Sequence, residues 1–412
     1  MSLNSFEKSK EMFLRATKVI PSGISGHKNP SFGVPGSFPY FAERGDGCRY
    51  VDVDGNEYID FLCGYGPIVL GYSYEKIDAA ADAQRVSGSA FNHPTPRSVE
   101  LAEKLVELIP CADWAAFGRN GSDVTTYAIQ IAREYTQRRK IIMARGAYHG
   151  SHAWCTPGHG GLLIEDQLHV LTFTWNDANE LEALIKAHEG DVAGVILTPY
   201  HHPAFAAQEL PTESFWPEVR RICDSHGVVL ICDDIRAGFR LHMRGSGEYF
   251  GFVPDMMCYC KAIANGYSLS AIVGKDEFKA AASNVFFTGT YYTAASEFAA
   301  ALATLDELES TNAIDHMTKM GEMLKEGLRK RADAHALQIQ MTGPATLPFM
   351  TFANERDFRR SQCFSAECAK RGVLLHPHHN WFMMYSHEET DIQQALDVAD
   401  EAFGVVKKEF GD

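Results

Sequence analysis

The chain has 412 residues, 45% of them hydrophobic and 22% charged, and a formal net charge of −15. That is enough apolar material for a large core split between a larger and a smaller domain. A surface this acidic repels phosphate backbones and anionic lipid, so neither nucleic acid nor a membrane is an expected partner. No apolar run reaches the roughly 18 residues of a membrane span, residues 1–8 carry no signal-peptide core, and a cytoplasmic location is expected. The ten cysteines are scattered with no CxxC pair and read as buried small hydrophobes. His201-His202 and His376-Pro377-His378-His379 lack the i,i+4 spacing of a helical zinc site and read as polar loop residues near a pocket, so no metal is expected.

In chain order, residues 49–53 and 57–61 are short strands joined through Asp54-Gly55, a strong hairpin signal. From about residue 110 to 265, short apolar runs alternate with longer amphipathic ones. Strands are predicted at 114–117, 140–143, 169–173, 194–198, 228–232 and 256–260. Most are continuous apolar runs, as strands covered on both faces should be. Helices are predicted at 122–133, opening on Ser122 and Asp123; at 177–188, with Asp177 and Glu180 in capping-box spacing; and at 215–225. The strand–helix alternation predicts an α/β fold, a mostly parallel sheet flanked by helices. Beyond Ala313 come a long amphipathic helix, short strands near 346–352 and 373–376, and a closing helix from about Thr390. The expected organisation is residues 1–62 contributing to a small domain, 63–310 forming the large domain, and 311–412 completing the small α+β domain.

The chemistry gathers at predicted strand ends. The run 228–232 ends on Asp233-Asp234, and carboxylates at the C-terminal edge of a parallel sheet sit where open α/β folds bind ligands. The run 256–260 gives way to Lys261, 28 residues after Asp233, one strand–helix unit away. A lysine leaving an apolar strand into small residues is desolvated, which lowers its pKa and makes its amine nucleophilic. Asn120-Gly121-Ser122, between a strand and a helix, can hold an anion on helix N-terminal amides. Tyr148-His149-Gly150 offers an aromatic face for a flat ring. Taken singly, each is unspecific: a solvated turn, a lone lysine, a common loop, a structural tyrosine. Together they match pyridoxal phosphate (PLP), which needs a lysine, an acid for its pyridinium nitrogen, a phosphate cup and a stacking surface.

The motifs also resemble a family. Ile20-Pro21-Ser22-Gly23, the stretch from Asp52 to Asp60, Gly64-Tyr65-Gly66-Pro67, Asp233-Asp234-Ile235-Arg236-Ala237-Gly238-Phe239-Arg240, Val253-Pro254-Asp255 with Lys261, and Gly289-Thr290 follow the order of class III aminotransferases of PLP fold type I. Within that family the glutamate-1-semialdehyde aminomutases are the most similar. The resemblance implies Lys261 as the Schiff-base lysine, Asp233 as the pyridinium partner, and Ile235 and Tyr148 on the two faces of the ring. It implies Asn120, Gly121 and Ser122 as the phosphate cup. Thr290 is implied to reach the phosphate of a neighbouring subunit, hence a homodimer with shared sites. Lys28 and Tyr65 are candidate substrate contacts.

Departures from the family pattern bear on the substrate. Arg119 precedes the cup and is expected to enter the phosphate neighbourhood; Thr198-Pro199 replaces a Glu-Pro; and Gly26-His27-Lys28-Asn29-Pro30 lacks the aminomutase's substrate-binding arginine. The function expected is transfer of an amino group between an amine or amino acid and a carbonyl acceptor. Intramolecular transfer, racemisation or epimerisation, and non-catalytic PLP binding are the alternatives. Arg145, Arg236 and Arg240 are further cations available to a substrate carboxylate.

Overall fold

A computed structural model describes residues 3–24, 37–158, 160–203 and 206–411. The chain divides into two compact units: Met1–Tyr74 with Phe205–Ala207 and Asn312–Asp412, and Glu75–Ala204 with Gln208–Thr311.

The first unit opens with strands β1 (Ala42–Asp46), β2 (Arg49–Asp52) and β3 (Glu57–Asp60), paired antiparallel in that order. The β2–β3 hairpin turns through Asp54-Gly55, with Gly55 at φ +87°. Asp52 organises it: one carboxylate oxygen accepts the backbone N–H groups of Asp54 and Asn56, both at 2.9 Å, and the other accepts the Tyr58 hydroxyl at 2.8 Å.

The second unit carries β4 (Trp114–Gly118), β5 (Lys140–Ala144), β6 (Val170–Phe173), β7 (Val192–Leu197), β8 (Val229–Asp233), β9 (Met256–Tyr259) and β10 (Ser270–Gly274). They form one seven-stranded sheet in the order β4-β10-β9-β8-β7-β5-β6. All pairs from β9 to β6 are parallel; β10 runs antiparallel to both of its neighbours. Every residue of β7 and β8 is buried, which explains their unbroken apolar sequence. Helix Gly121–Thr136 lays Val124, Tyr127, Ala128 and Ile131 onto the sheet. Full burial of one such aliphatic side chain is worth about 1.5–3 kcal/mol.

Back in the first unit, β11 (Ile339–Thr342) and β12 (Phe349–Phe352) pair antiparallel, and the short β13 (Val373–Leu374) adds in parallel to β3. Helices Ala313–Ala334 and Glu389–Phe410 complete this unit.

The fold class is the one read from the sequence. Two of the local differences bear on the site. β10 was not predicted: Ser270-Ala271-Ile272-Val273-Gly274 is short, built of small residues, and follows a glycine-containing segment that masks its start. The helix after β4 is capped two residues earlier than expected. Its N-cap is Asn120, and Asp123 reaches back so that its Oδ2 accepts the N–H groups of Arg119 (2.9 Å) and Asn120 (2.8 Å). Asp177 caps the next predicted helix as its spacing required, accepting the Glu180 N–H at 2.8 Å.

Candidate active site

The parallel sheet sets the two central groups side by side. Asp233, the last residue of β8, is in register with Cys258 of β9, and Lys261 follows three residues further on. Adjacent strands lie about 4.8 Å apart, so the carboxylate and the amine leave neighbouring strand ends on one edge. Lys261 sits in the connection between the antiparallel pair β9 and β10 and opens a short 3₁₀ turn, Lys261–Ala264. Its φ is +44°, in the left-handed region, where a residue with a side chain is strained by about 1–2 kcal/mol. Some of its surface meets solvent, but the surrounding protein brings its amine down to about 8. Burial is the main cause; the Arg236 charge adds to it, while Cys260 and Asp233 oppose it.

Asp233 is buried and doubly held. Its Oδ2 accepts a hydrogen bond from His149 Nδ1 at 2.7 Å, and its Oδ1 accepts the Ile235 N–H at 3.2 Å. His149 is itself 1% exposed and lies parallel to the Trp154 ring at 6.4 Å between centroids. Sequence reasoning passed over this histidine in favour of its neighbour Tyr148. The available signal was its place just after a strand of the same sheet, β5.

The start of helix Gly121–Thr136 and the loop after β5 are interlocked by glycines. A Cβ on Gly121 would lie 2.7 Å from Ile235 Cδ1, so the helix start rests directly on the Ile235 side chain. Gly150 has φ +129°, and a Cβ there would come within 2.5 Å of Ser122 Oγ. That hydroxyl accepts the Ser151 N–H at 3.0 Å, and Thr125 Oγ1 donates to the His149 carbonyl at 2.7 Å. Ser122 at the first turn, the exposed Asn120 before it, and the helix amides make a helix N-terminus of the kind that can accept an anion. Tyr148 is 41% exposed and close enough to Arg236 and Asp233 to sense both charges.

Asp233, Ile235, Gly121, Ser122, Tyr148 and Lys261 thus share one edge of the second unit's sheet. Thr290 stands exposed on the turn before Tyr291-Tyr292. Tyr65 belongs to the first unit, edge-on to the rings of His376 (5.9 Å) and His379 (5.2 Å). Lys28 lies outside the described residues. Arg119 departs from expectation: its Nη1 is 2.9 Å from Glu297 Oε1 and donates to the Ser268 carbonyl at 2.5 Å, so its charge is engaged by an acid rather than offered to an anion. Of the other cations, Arg145 is largely exposed and pairs with Glu180 at 3.3 Å, Arg240 is wholly buried, and Arg236 is half-buried beside Asp233 and Lys261. His201 and His202, read as polar loop residues near a pocket, lie outside the strands and helices and are buried, at 5% and 6% exposure.

These residues fit pyridoxal phosphate. A buried carboxylate backed by a histidine suits a ring nitrogen. A desolvated amine suits the aldehyde carbon, and the serine-bearing helix terminus suits a phosphate. Gly121 keeps the wall beside Ile235 flat enough for a ring.

Comparison with known proteins agrees. Residues 33–403 match the family Aminotransferase class-III. The chain is 40% identical over 403 residues to the aminopentol aminotransferase of Sphingopyxis macrogoltabida, covering 98% of this chain and 95% of that one. It is 36% identical over 409 residues to the 3-aminobutyryl-CoA aminotransferase of Cloacimonas acidaminovorans, covering 97% and 98%. Glutamate-1-semialdehyde 2,1-aminomutases also match, at lower identity. The PLP internal aldimine form of the Sphingopyxis sp. MTA144 FumI protein superposes with a TM-score of 0.96 at 40% identity, covering 98% of each chain. The chain belongs to the class-III aminotransferases and is a PLP-dependent enzyme of that family.

Proposed function

We propose that the enzyme transfers an amino group between two separate molecules, an amine or amino acid donor and a carbonyl acceptor, with Lys261 and Asp233 as its catalytic residues. The observation that carries this assignment is the pair of strand ends β8 and β9, which deliver Asp233 and Lys261 to one edge, with His149 fixed on the carboxylate at 2.7 Å. When bound, PLP supplies an electron sink for the pair of electrons left as the donor's Cα–H bond breaks.

The chain's own residues do the rest. Lys261 would hold the cofactor carbon, and its amine, brought down to about 8, would be the group that takes the donor's Cα proton and returns it. Asp233 would hold the proton on the ring nitrogen, with His149 fixing the carboxylate's orientation. Ile235 and Tyr148 would bracket the ring, and Asn120, Gly121 and Ser122 with the helix amides would hold the phosphate. The identities to two relatives named as aminotransferases support transfer between molecules over the aminomutase alternative.

A homodimer completes the reading. Phe286, Val99 and Tyr291 are 89%, 57% and 64% exposed. They accompany a groove of about 490 Å³ lined by Phe117, Tyr127, Phe287, Tyr292 and Phe298, a face suited to a second copy that would receive Thr290. No helix among the described residues is long and apolar enough to cross a membrane, and ten free cysteines suit a reducing, cytoplasmic compartment.

The test has two arms. Borohydride reduction of the holoenzyme and peptide mapping should place the phosphopyridoxyl group on Lys261. Supplied with an amine donor and a separate keto-acid acceptor, the enzyme should release the aminated acceptor. Efficient conversion of glutamate-1-semialdehyde alone, with no transfer between molecules, would restore the aminomutase.

A further inference from the structure

The His149–Asp233 hydrogen bond crosses the sheet. His149 follows β5 and Asp233 ends β8, and β7 lies between those strands. The His149 ring therefore passes over the C-terminal end of β7, where the chain continues as Thr198-Pro199-Tyr200-His201-His202. With Nδ1 committed to Asp233, the far nitrogen, Nε2, points away from the carboxylate. It is buried with no hydrogen-bond partner among the described residues.

The segment after β7 supplies a matching set. His201 Nδ1, His202 Nδ1 and Tyr200 Oη are also buried without a hydrogen-bond partner among the described residues. The backbone that carries them is fixed. Thr198 Oγ1 donates to the Tyr200 carbonyl at 2.8 Å, Trp216 Nε1 donates to the Pro199 carbonyl at 3.2 Å, and His201 and Glu209 exchange both backbone hydrogen bonds at 2.8 Å. The His201 ring is stacked on Trp175, at 5.6 Å and 18° between planes, and the His202 ring meets Tyr200 edge-on at 5.4 Å. Burial holds His201 down to about 4 and His202 well below the ordinary histidine value; proximity to His149 adds to both, and Arg236 adds further to His202. Both imidazoles are thus neutral at ordinary pH, and a neutral imidazole has one N–H to give.

We propose that His201 is a positioning residue for the ring acid, its Nδ1 joined through one buried water to Nε2 of His149. The inference rests on the reading of Asp233 as the partner of the cofactor nitrogen. A structural water makes two to four hydrogen bonds, and Nε2 of His149 and Nδ1 of His201 are both buried without a partner among the described residues, on rings close enough for their charges to interact. The consequence is a fixed tautomer. A donor on Nε2 keeps that nitrogen unprotonated, so the His149 proton stays on Nδ1 and is always presented to Asp233. His202, buried next in the chain, feels the Arg236 charge more than that of either histidine.

The test uses holoenzyme with nitrogen-15 in the histidine rings and, separately, in the ring nitrogen of PLP. In the wild type, His149, assigned by its loss in His149→Asn, should show a protonated Nδ1 and an unprotonated, hydrogen-bonded Nε2. His201→Phe keeps the stacking on Trp175 and removes Nδ1. Its cofactor-nitrogen signal should move toward that of Asp233→Asn, and its half-reaction with amine donor should slow about tenfold, the scale of one lost buried hydrogen bond. His201→Gln, which retains a donor, should recover most of both. A doubly protonated His149 in the wild type overturns the proposal, and needs no His201 variant to fold. So does a folded His201→Phe whose cofactor-nitrogen signal equals wild type. If Asp233→Asn itself leaves that signal unmoved, the reading of Asp233 has failed instead.

Discussion

Lys261 of the cofactor-free enzyme should titrate near pH 8 rather than near 10.5, and Arg236→Met should move that midpoint upward. Burial disfavours the ammonium, and the Arg236 guanidinium disfavours it further. Near pH 8 about half of the Lys261 amines would be neutral, against roughly 0.3% for an ordinary lysine, an enrichment of about 150-fold. Removing the Arg236 charge leaves burial in place, so only part of the enrichment is lost; one unit of upward movement would cut the neutral fraction near pH 7 about tenfold. The linkage sign follows from a base whose folded value is depressed. Between about pH 8 and 10.5 the unfolded chain binds the extra proton, so the apoenzyme gains stability as pH rises through that window. The assay is the carbon-13 shift of lysine Cε in labelled apoenzyme, with the Lys261 signal assigned by its loss in Lys261→Ala. A wild-type midpoint above about 10 refutes the claim that the site desolvates this amine. An Arg236→Met midpoint that stays put or falls refutes the part given to Arg236.

Further outcomes follow from the same geometry. Asp233→Asn should retain the fold and cofactor but slow the donor half-reaction at least about a hundredfold, read by single-turnover absorbance; a near-wild-type rate would move the role to Asp234. Gly150→Ala should lower the melting temperature and cofactor retention through a strain of about 1–3 kcal/mol, because its Cβ would lie 2.5 Å from Ser122 Oγ; Ser122→Ala in the same chain should recover part of the melting loss. Asp234 is buried and raised to about 7 from 3.8, so its protonation stabilises the fold fully below about pH 4, and that contribution is lost as pH rises through about 7. Asp234→Asn should therefore flatten the fall in urea stability between about pH 4 and 7, a fall of at most about 4 kcal/mol; an unchanged slope would assign it elsewhere. On dilution, light scattering should show loss of dimer and of cofactor together.

What the sequence revealed and what it hid divide along physical lines. β7 and β8 announced themselves because strands covered on both faces have no polar residue to break the run, and the ends of such runs marked Asp233 and Lys261. Asp177 could be read as a cap because its partner lies three residues away. The His149–Asp233 contact spans 84 residues and depends on strand order, which no local pattern carries. Arg119 reads as a cation beside a phosphate cup until the fold brings Glu297 to it from a helix nearly 180 residues later. His201-His202 read as polar loop residues near a pocket because paired histidines are polar by type; that the segment is pinned by Trp216 and Glu209 and buried is set by contacts distant in sequence. β10 lacked both the length and the bulky side chains that mark a strand, and its reversed direction is a property of the whole sheet.

That reversed strand also orders events during synthesis. Among the described residues β4 pairs with no strand but β10, and Gly118 meets its partner Ser270 about 150 residues later in the chain. At about 5–20 residues per second a ribosome needs roughly 8–30 s to make that stretch. Throughout that time β5 to β8 can assemble in parallel while β4 waits without a neighbour. Insertion of β10 between β9 and β4 then seats the waiting edge and fixes both ends of the connection that bears Lys261. Lys261 is thus set in place by the last strand of this sheet to be made, after the helix that begins at Gly121.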